Sequence, residues 1–327
     1  MQSRSLTIGA VRGIAIILVV YGHVIQRTMA ANNADFFLNP AFKIIYTFHM
    51  PLFFFISGYL MALSLSRKSI GDTFKARCKT LLIPFISWGI LGIIADHVFH
   101  TTGAGAIWFL FALFISSCLL LCSIQLEKRF TAAIFAVVYF LLLLIPYNEH
   151  FFLYYIKWFY LFYAGGYLVN KYGIKITDKP INRAAPFIAL LLFMALASFW
   201  TTSDYIYINR MGFALDRLAY RYIVGFLGIA IVFTVGAYCS RTKIGHALDR
   251  IGIYSLDIYL IQRYVVEGIY PRLVQHLHMN FDFNAPFFLY FFAPLAALLF
   301  TGLCIVISKL LIRRSAVLNR LLLGGRV

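Results

Sequence analysis

Long apolar runs separated by short polar gaps dominate this chain. Runs close to the roughly 20 residues needed to cross a bilayer fall at 8–28, 42–65, 78–98, 105–124, 130–147, 152–170, 184–201, 217–239, 250–270 and 285–312. They predict an all-α, polytopic membrane protein with ten transmembrane helices. Pro51 interrupts the second run and should kink it, and Pro146 ends the fifth.

The gaps alternate in charge. Residues 66–79 carry Arg67, Lys68, Lys75, Arg77 and Lys79, whereas 97–104 carry neither Lys nor Arg. Lys128 and Arg129 follow; 147–150 hold no cation; Lys171, Lys175, Lys179 and Arg183 mark the next basic gap. Residues 202–216 are mixed, Arg241, Lys243 and Arg250 are basic again, 270–284 hold only Arg272, and the tail carries Arg313, Arg314, Arg320 and Arg326. By the positive-inside rule both termini are cytoplasmic. An even number of spans agrees with that placement.

Composition supports the same reading. The 327 residues are 62% hydrophobic and 13% charged, with a mean hydropathy of +0.83, against about 45–50% apolar and about 25% charged in a soluble domain. No long polar block stands apart, so residues 1–327 form a single membrane domain embedded in a lipid bilayer. The net charge of +17 lies in alternate gaps, which is topology and not a nucleic-acid footprint. Nucleic acid is therefore not an expected partner. The five cysteines, Cys78, Cys118, Cys122, Cys239 and Cys304, are scattered and odd in number, as free thiols packed as small hydrophobes would be. Arg4, the apolar stretch 14–20 and residues 28–30 imitate a secretory signal. Cleavage there would leave an odd number of spans, so the segment is read as the first helix.

That helix carries the candidate chemistry. Arg12 and His23 are eleven residues apart, about three turns, so both leave the same face roughly 16 Å apart along the axis. Ile16, Val19 and Gln26 share the stripe. Ionisable groups inside an apolar helix are costly in lipid and should face protein or a watery cavity. Lys43, Asp96, Lys157, Asp216, Arg217, Arg221, Arg263 and Glu267 fall in the outer half, and Asp257 at mid-span. Each taken alone can snorkel to an interface; together they suggest an outward-opening polar cavity. His49, two residues before Pro51, lies at a similar depth to His23 and can pair with it. His97, His100, His276 and His278 read as solvated loop residues, and no metal motif, Gly-rich phosphate loop or nucleophile elbow occurs. No metal is expected.

Five blocks in order resemble the acyltransferase 3 family, the ten-helix membrane O-acyltransferases of cell-envelope glycans. They are Arg12-Gly-Ile-Ala-Ile with its His23; the stretch from Phe48 to Leu60, which contains His49, Pro51, Ser57 and Gly58; Lys75-Ala-Arg-Cys-Lys-Thr-Leu-Leu-Ile-Pro84; Trp108-Phe-Leu110; and Tyr254-Ser-Leu-Asp-Ile-Tyr-Leu-Ile-Gln262. The resemblance covers essentially the whole chain. It implies transfer of an acyl group, usually acetyl, from cytoplasmic acyl-CoA to a sugar hydroxyl of an envelope polysaccharide or exopolysaccharide, or of its lipid-linked precursor, in a bacterial inner membrane. It implies that Arg12 and His23 are essential. The family often has two arginines three apart in the third block; here Arg77 is followed by Thr80, with Lys79 beside it, which opens the choice of second cation. Many relatives have a His where this chain has Gln262.

The residue chemistry agrees. A histidine with an ordinary pKa near 6.5 suits proton removal from a hydroxyl, which makes His23, with His49 as its neighbour, the candidate base. An acetyl-His intermediate and direct transfer both remain open. Arg12, Arg77 and Lys79 suit the phosphates of acetyl-CoA, the expected acyl donor. Trp108 is either an interfacial anchor or a stacking platform for a sugar or adenine, and Arg221 and Glu267 are assigned to the acceptor. A secondary transporter or flippase of lipid-linked glycan also tolerates intramembrane charge and broken helices, but it offers no reason for the Arg12–His23 stripe. A receptor or scaffold needs none of this buried charge.

Overall fold

The computed structural model describes residues 5–99, 107–126, 129–145, 152–174, 184–201, 215–279, 281–283 and 285–325. Lys128, His100, the gap cations Lys175, Lys179 and Arg183, Arg326 and the side chain of Asp96 lie outside the described residues. The helices in chain order are α1 (Leu6–Ala31), α2 (Pro40–Leu65), α3 (Ile70–Arg77), α4 (Ile83–Phe99), α5 (Trp108–Leu126), α6 (Thr131–Leu144) and α7 (Leu153–Lys171). They continue as α8 (Ala184–Ser198), α9 (Leu215–Cys239), α10 (Lys243–Ile253), α11 (Ser255–Gln262), α12 (Tyr270–His276), α13 (Ala293–Ile307) and α14 (Ala316–Leu323). A π-helical turn at Cys78–Leu82 joins α3 to α4, and another at Arg263–Ile269 joins α11 to α12. Further π-helical turns, Phe288–Phe292 and Ser308–Ile312, flank α13. Among the described residues the fold is all-helical, as expected.

Six helical stretches are long and apolar enough to span a membrane: Leu6–Ala31, Pro40–Leu65, Ile70–Ala95, Trp108–Leu126, Asp216–Cys239 and Phe288–Ile312. The other four expected spans are helical too, but differ for identifiable reasons. Thr131–Leu144 and Ala184–Ser198 are apolar but short. Leu153–Lys171 mixes tyrosines, tryptophan and Lys157 into its apolar residues. The stretch 250–270 is not one regular helix; it breaks at Tyr254 and widens at Arg263–Ile269. Pro51 sits inside α2 without ending it.

Two compact units are present. The first contains α1, α2 as far as His49, α8, α9 from Val224, and everything from α10 to Ser315. Ser5 caps the start of α1 by accepting the Ile8 N–H at 3.4 Å. The N-terminal half of α1 crosses α10 in backbone contact. A Cβ built on Gly13 would lie 2.1 Å from the carbonyl oxygen of Leu248, and one on Gly252 would lie 2.2 Å from that of Gly9. Only glycine permits that approach, as in small-residue packing between membrane helices. α1 then runs parallel to the segment 255–276. The register is fixed by side-chain pairs: Arg12 with Ser255, Arg27 with Glu267, Thr28 with Tyr270, and Asn32 with the Met279 carbonyl. Tyr21 donates to the Leu289 carbonyl at 2.6 Å.

Asp257, one turn into α11 and fully buried, is held from the end of the α13 segment. Arg313 donates to it through Nε at 2.8 Å and Nη2 at 3.3 Å, and Ser308 donates its hydroxyl. The guanidinium of Arg313 also stacks 4.5 Å above the Tyr254 ring. The buried carboxylate is thus half of a bidentate ion pair.

The second unit contains α2 from Met50, α3 to α7, α9 as far as Ile223, and α14. α2 and α7 meet through glycines. A Cβ on Gly58 would lie 1.8 Å from the Tyr163 carbonyl oxygen, and one on Gly166 would lie 2.0 Å from that of Phe55. Phe54 stacks on Phe159 at 4.6 Å, and Ser117 bonds the Tyr163 hydroxyl at 2.9 Å. α14 is tied to α4 by Trp88 Nε1 donating to the Leu322 carbonyl at 2.9 Å.

Candidate active site

The stripe expected on α1 is present, and the parallel segment 255–276 engages it at both ends. Near the start of α1, half-buried Arg12 donates from Nη2 to the Ser255 hydroxyl at 2.7 Å. Ser255 opens α11, directly after the break at Tyr254. Eleven residues further along α1, Nδ1 of His23 lies 3.7 Å from Oε1 of Glu267. Twelve residues separate Ser255 from Glu267 and eleven separate Arg12 from His23, so two parallel helices of similar rise bring both pairs into register.

Glu267 sits in the π-helical turn Arg263–Ile269, a widening of the kind that concentrates at functional sites. Its carboxylate is fixed from two further sides. Arg27, one turn beyond His23, donates from Nη2 to Oε2 at 2.8 Å, and Gln262 donates from Nε2 to Oε1 at 3.1 Å. A carboxylate only accepts, so the Gln262 amide is oriented with its oxygen away from Glu267. Among the described residues, Oε1 of Gln262, Nε of Arg27 and Nδ1 of His23 are buried without a hydrogen-bond partner. Buried polar groups are normally satisfied, so these three atoms mark the cluster as polar and incompletely paired.

His49 lies in the same unit, close enough to His23 to interact electrostatically. It is 4% exposed, and its Nδ1 is 2.8 Å from the Ile45 carbonyl oxygen. A carbonyl cannot donate, so Nδ1 carries the proton and Nε2 keeps the lone pair. The Tyr46 ring lies 4.4 Å from the His49 ring, and its hydroxyl donates to Oε1 of Gln26, on the α1 stripe, at 3.5 Å.

The remaining sequence candidates belong to the second unit. Arg77, the last residue of α3, points Nη2 at the Met61 sulfur, 3.8 Å away. Lys79 is exposed in the π-helical turn, with its backbone against Gly324: a Cβ there would lie 2.5 Å from the Lys79 carbonyl oxygen. The Trp108 ring stacks on Tyr155 at 3.8 Å and on Phe159 at 5.5 Å. Arg221 is almost fully buried, with its guanidinium 4.1 Å over the Trp158 ring. Three further charges noted in the sequence, Lys43 of the first unit and Lys157 and Arg217 of the second, have local partners. Lys43 donates to the Ser198 carbonyl at 3.3 Å and Lys157 to that of Ile145, each at a helix C-terminus where cations are favoured. Arg217 lies over Tyr220.

Sequence reasoning missed Arg27, Ser255 and the part played by Gln262. Arg27 carried a signal, since it follows His23 by four residues on one face, but it falls at the end of the apolar run and reads as a boundary charge. Ser255 lies in the fifth block of the resemblance, but nothing in the sequence pairs it with Arg12.

Among the described residues the chain is all-helical, with six helices long and apolar enough to cross a membrane and an Arg–His stripe along the first of them. Its sequence places it in a family: residues 6–313 match the acyltransferase domain of acyltransferase 3 proteins, and the chain belongs to that family of membrane acyltransferases. Among curated proteins it is similar to nodulation protein NolL of Sinorhizobium fredii (strain NBRC 101917 / NGR234), 29% identical over 302 residues, which cover 83% of this chain and 79% of that protein. It is also 36% identical over 129 residues, 35% of each chain, to nodulation protein NolL of Mesorhizobium japonicum (strain LMG 29417 / CECT 9101 / MAFF 303099). No solved structure matches the chain.

Proposed function

We propose that this acyltransferase moves an acetyl group from cytoplasmic acetyl-CoA to a sugar hydroxyl of an envelope polysaccharide or exopolysaccharide, or of its lipid-linked precursor, in a bacterial inner membrane. The observation that carries the reading is the α1 stripe, with Arg12 and His23 on one face and both engaged by the 255–276 segment. In this proposal the helices of 131–144, 153–171, 184–198 and 255–276 join the six apolar ones to make ten spans, with both termini cytoplasmic.

The sugar hydroxyl is a weak nucleophile at neutral pH. His23 takes its proton as the oxygen attacks the thioester carbonyl. The new C–O bond forms, the C–S bond breaks, and the departing thiolate receives the proton from the imidazolium, leaving acetyl ester and free CoA. Arg12, a cation held in fixed geometry by Ser255, suits the donor's phosphates or its developing oxyanion. His49 keeps a lone pair at Nε2 and serves as the neighbouring polar wall. Arg77 and Lys79 are assigned to the donor phosphates on the motif they occupy, and Trp108 and Arg221 to the acceptor on residue type.

The test uses membranes containing the protein, acetyl-CoA labelled in the acetyl group, and an extract of lipid-linked and polymeric glycans. Label entering base-labile glycan ester, and none entering without the protein, is the expected result. Glycan movement across sealed vesicles without CoA consumption would instead make the protein a transporter.

A further inference from the structure

We infer that Glu267 is the positioning carboxylate of His23, so that the two form a Glu–His dyad held in place by Arg27 and Gln262. This rests on the reading of His23 as the base, and it replaces the sequence assignment of Glu267 to acceptor binding.

The argument is geometric. Of the two nitrogens of His23, Nδ1 faces the carboxylate, 3.7 Å from Oε1. A negatively charged acceptor on that side favours the tautomer with its proton on Nδ1 and the lone pair on Nε2. The Nε2 lone pair then takes the proton from a hydroxyl, with the Gln26 side chain next to the ring. The separation exceeds hydrogen-bond distance, as catalytic contacts without substrate often do before they tighten. The carboxylate does not turn freely to meet other groups. Arg27 fixes Oε2 at 2.8 Å and Gln262 fixes Oε1 at 3.1 Å, and its side chain is only 12% exposed. Here Oε2 is engaged by Arg27, and Oε1, held by Gln262, is the oxygen turned to the imidazole. Arg27 neutralises the carboxylate in the ground state. When His23 takes a proton, the new imidazolium lies beside a carboxylate already oriented, with little reorganisation required. The arrangement is the base-plus-orienter logic of hydrolytic triads, reached here by two parallel helices.

Steady-state kinetics of the full-length protein in membranes test this with Glu267→Gln, Glu267→Asp and His23→Ala. Glu267→Gln keeps the side-chain volume and a contact for Arg27 but loses the charge and can donate to Nδ1, enforcing the wrong tautomer. The expected result is a fall in kcat of about 10²–10³-fold, with KM for acetyl-CoA and for the glycan each within about threefold of wild type. Glu267→Asp, which keeps the charge on a shorter arm, should recover at least about tenfold of that loss. If Glu267→Gln does not reach the membrane folded, the same split, with kcat lowered and both KM values unchanged, is required of Glu267→Asp. A glycan KM raised about tenfold at near-wild-type kcat would make Glu267 an acceptor ligand and overturn the dyad. So would a kcat within about threefold of wild type in both variants. His23→Ala separates the two claims. If it is inactive while Glu267→Gln is fully active, only the dyad falls; if His23→Ala transfers at the wild-type rate, the base itself falls, and the dyad with it.

Discussion

Asp257 is the mid-span charge that invites a functional reading, and its surroundings predict a different outcome on removal. The carboxylate is fully buried and accepts two hydrogen bonds from Arg313, at 2.8 and 3.3 Å, and one from Ser308. Asp257→Ala leaves the Arg313 guanidinium, only 15% exposed, without its counter-charge. Removing one partner of a buried ion pair costs about 3–5 kcal/mol, and the orphaned Ser308 hydroxyl adds about 1 kcal/mol. With a shift of about 2–4 °C per kcal/mol in chains of 150–250 residues, this larger chain should lose roughly 5–15 °C of Tm. Thermal unfolding of detergent-solubilised protein, followed by monodispersity, reads that shift. The paired replacement Asp257→Leu with Arg313→Met removes both charges and should recover most of the loss, since apolar groups of similar volume often replace a buried pair without net cost. A Tm for Asp257→Ala within about 2 °C of wild type, or a double variant less stable than either single one, would refute the ion-pair reasoning.

Other substitutions probe the packing and the site. Gly13→Ala and Gly252→Ala place a Cβ about 2 Å from a backbone oxygen, so α1 and α10 must separate, at a cost of about 1–3 kcal/mol; Gly302→Ala, with nothing within 4 Å of its new Cβ, should leave Tm unchanged in the same assay. Ser255→Ala removes one bond that orients Arg12, and charged hydrogen bonds contribute about 1.5–3 kcal/mol; KM for acetyl-CoA should rise about tenfold with kcat nearly preserved, whereas an unchanged KM would take that contact out of donor binding. His49→Ala should lower kcat less than His23→Ala does, by direct comparison in one membrane preparation, because its Nδ1 faces the neutral Ile45 carbonyl and not a carboxylate that can stabilise an imidazolium.

Much of this was legible in the sequence, because one period governs an isolated helix. The eleven-residue step from Arg12 to His23 needs only 3.6 residues per turn to place both on one face, and α1 is an unbroken helix over that interval. The apolar runs mark where helices lie for the same reason. The partners were not legible, because they depend on register between segments about 240 residues apart. Ser255 is an ordinary serine until the chain breaks at Tyr254 and brings it beside Arg12. Glu267 reads as an acceptor-binding charge of the outer half, and its place beside His23 depends on the π-helical turn that carries it. The His that many relatives carry at the position of Gln262 gives no hint that the amide here donates to the Glu267 carboxylate. Conversely, Lys43 and Lys157 look like members of a polar cavity, and the structure sets each on a helix C-terminus instead.

The most direct test of the central claim compares wild type with His23→Ala at matched expression, in membranes given labelled acetyl-CoA and the host's lipid-linked and polymeric glycans. Base-labile label in the glycan with wild type, and a loss of about 10²-fold or more in the variant, is the predicted result. Equal labelling in both would take His23 out of the chemistry and contradict the account.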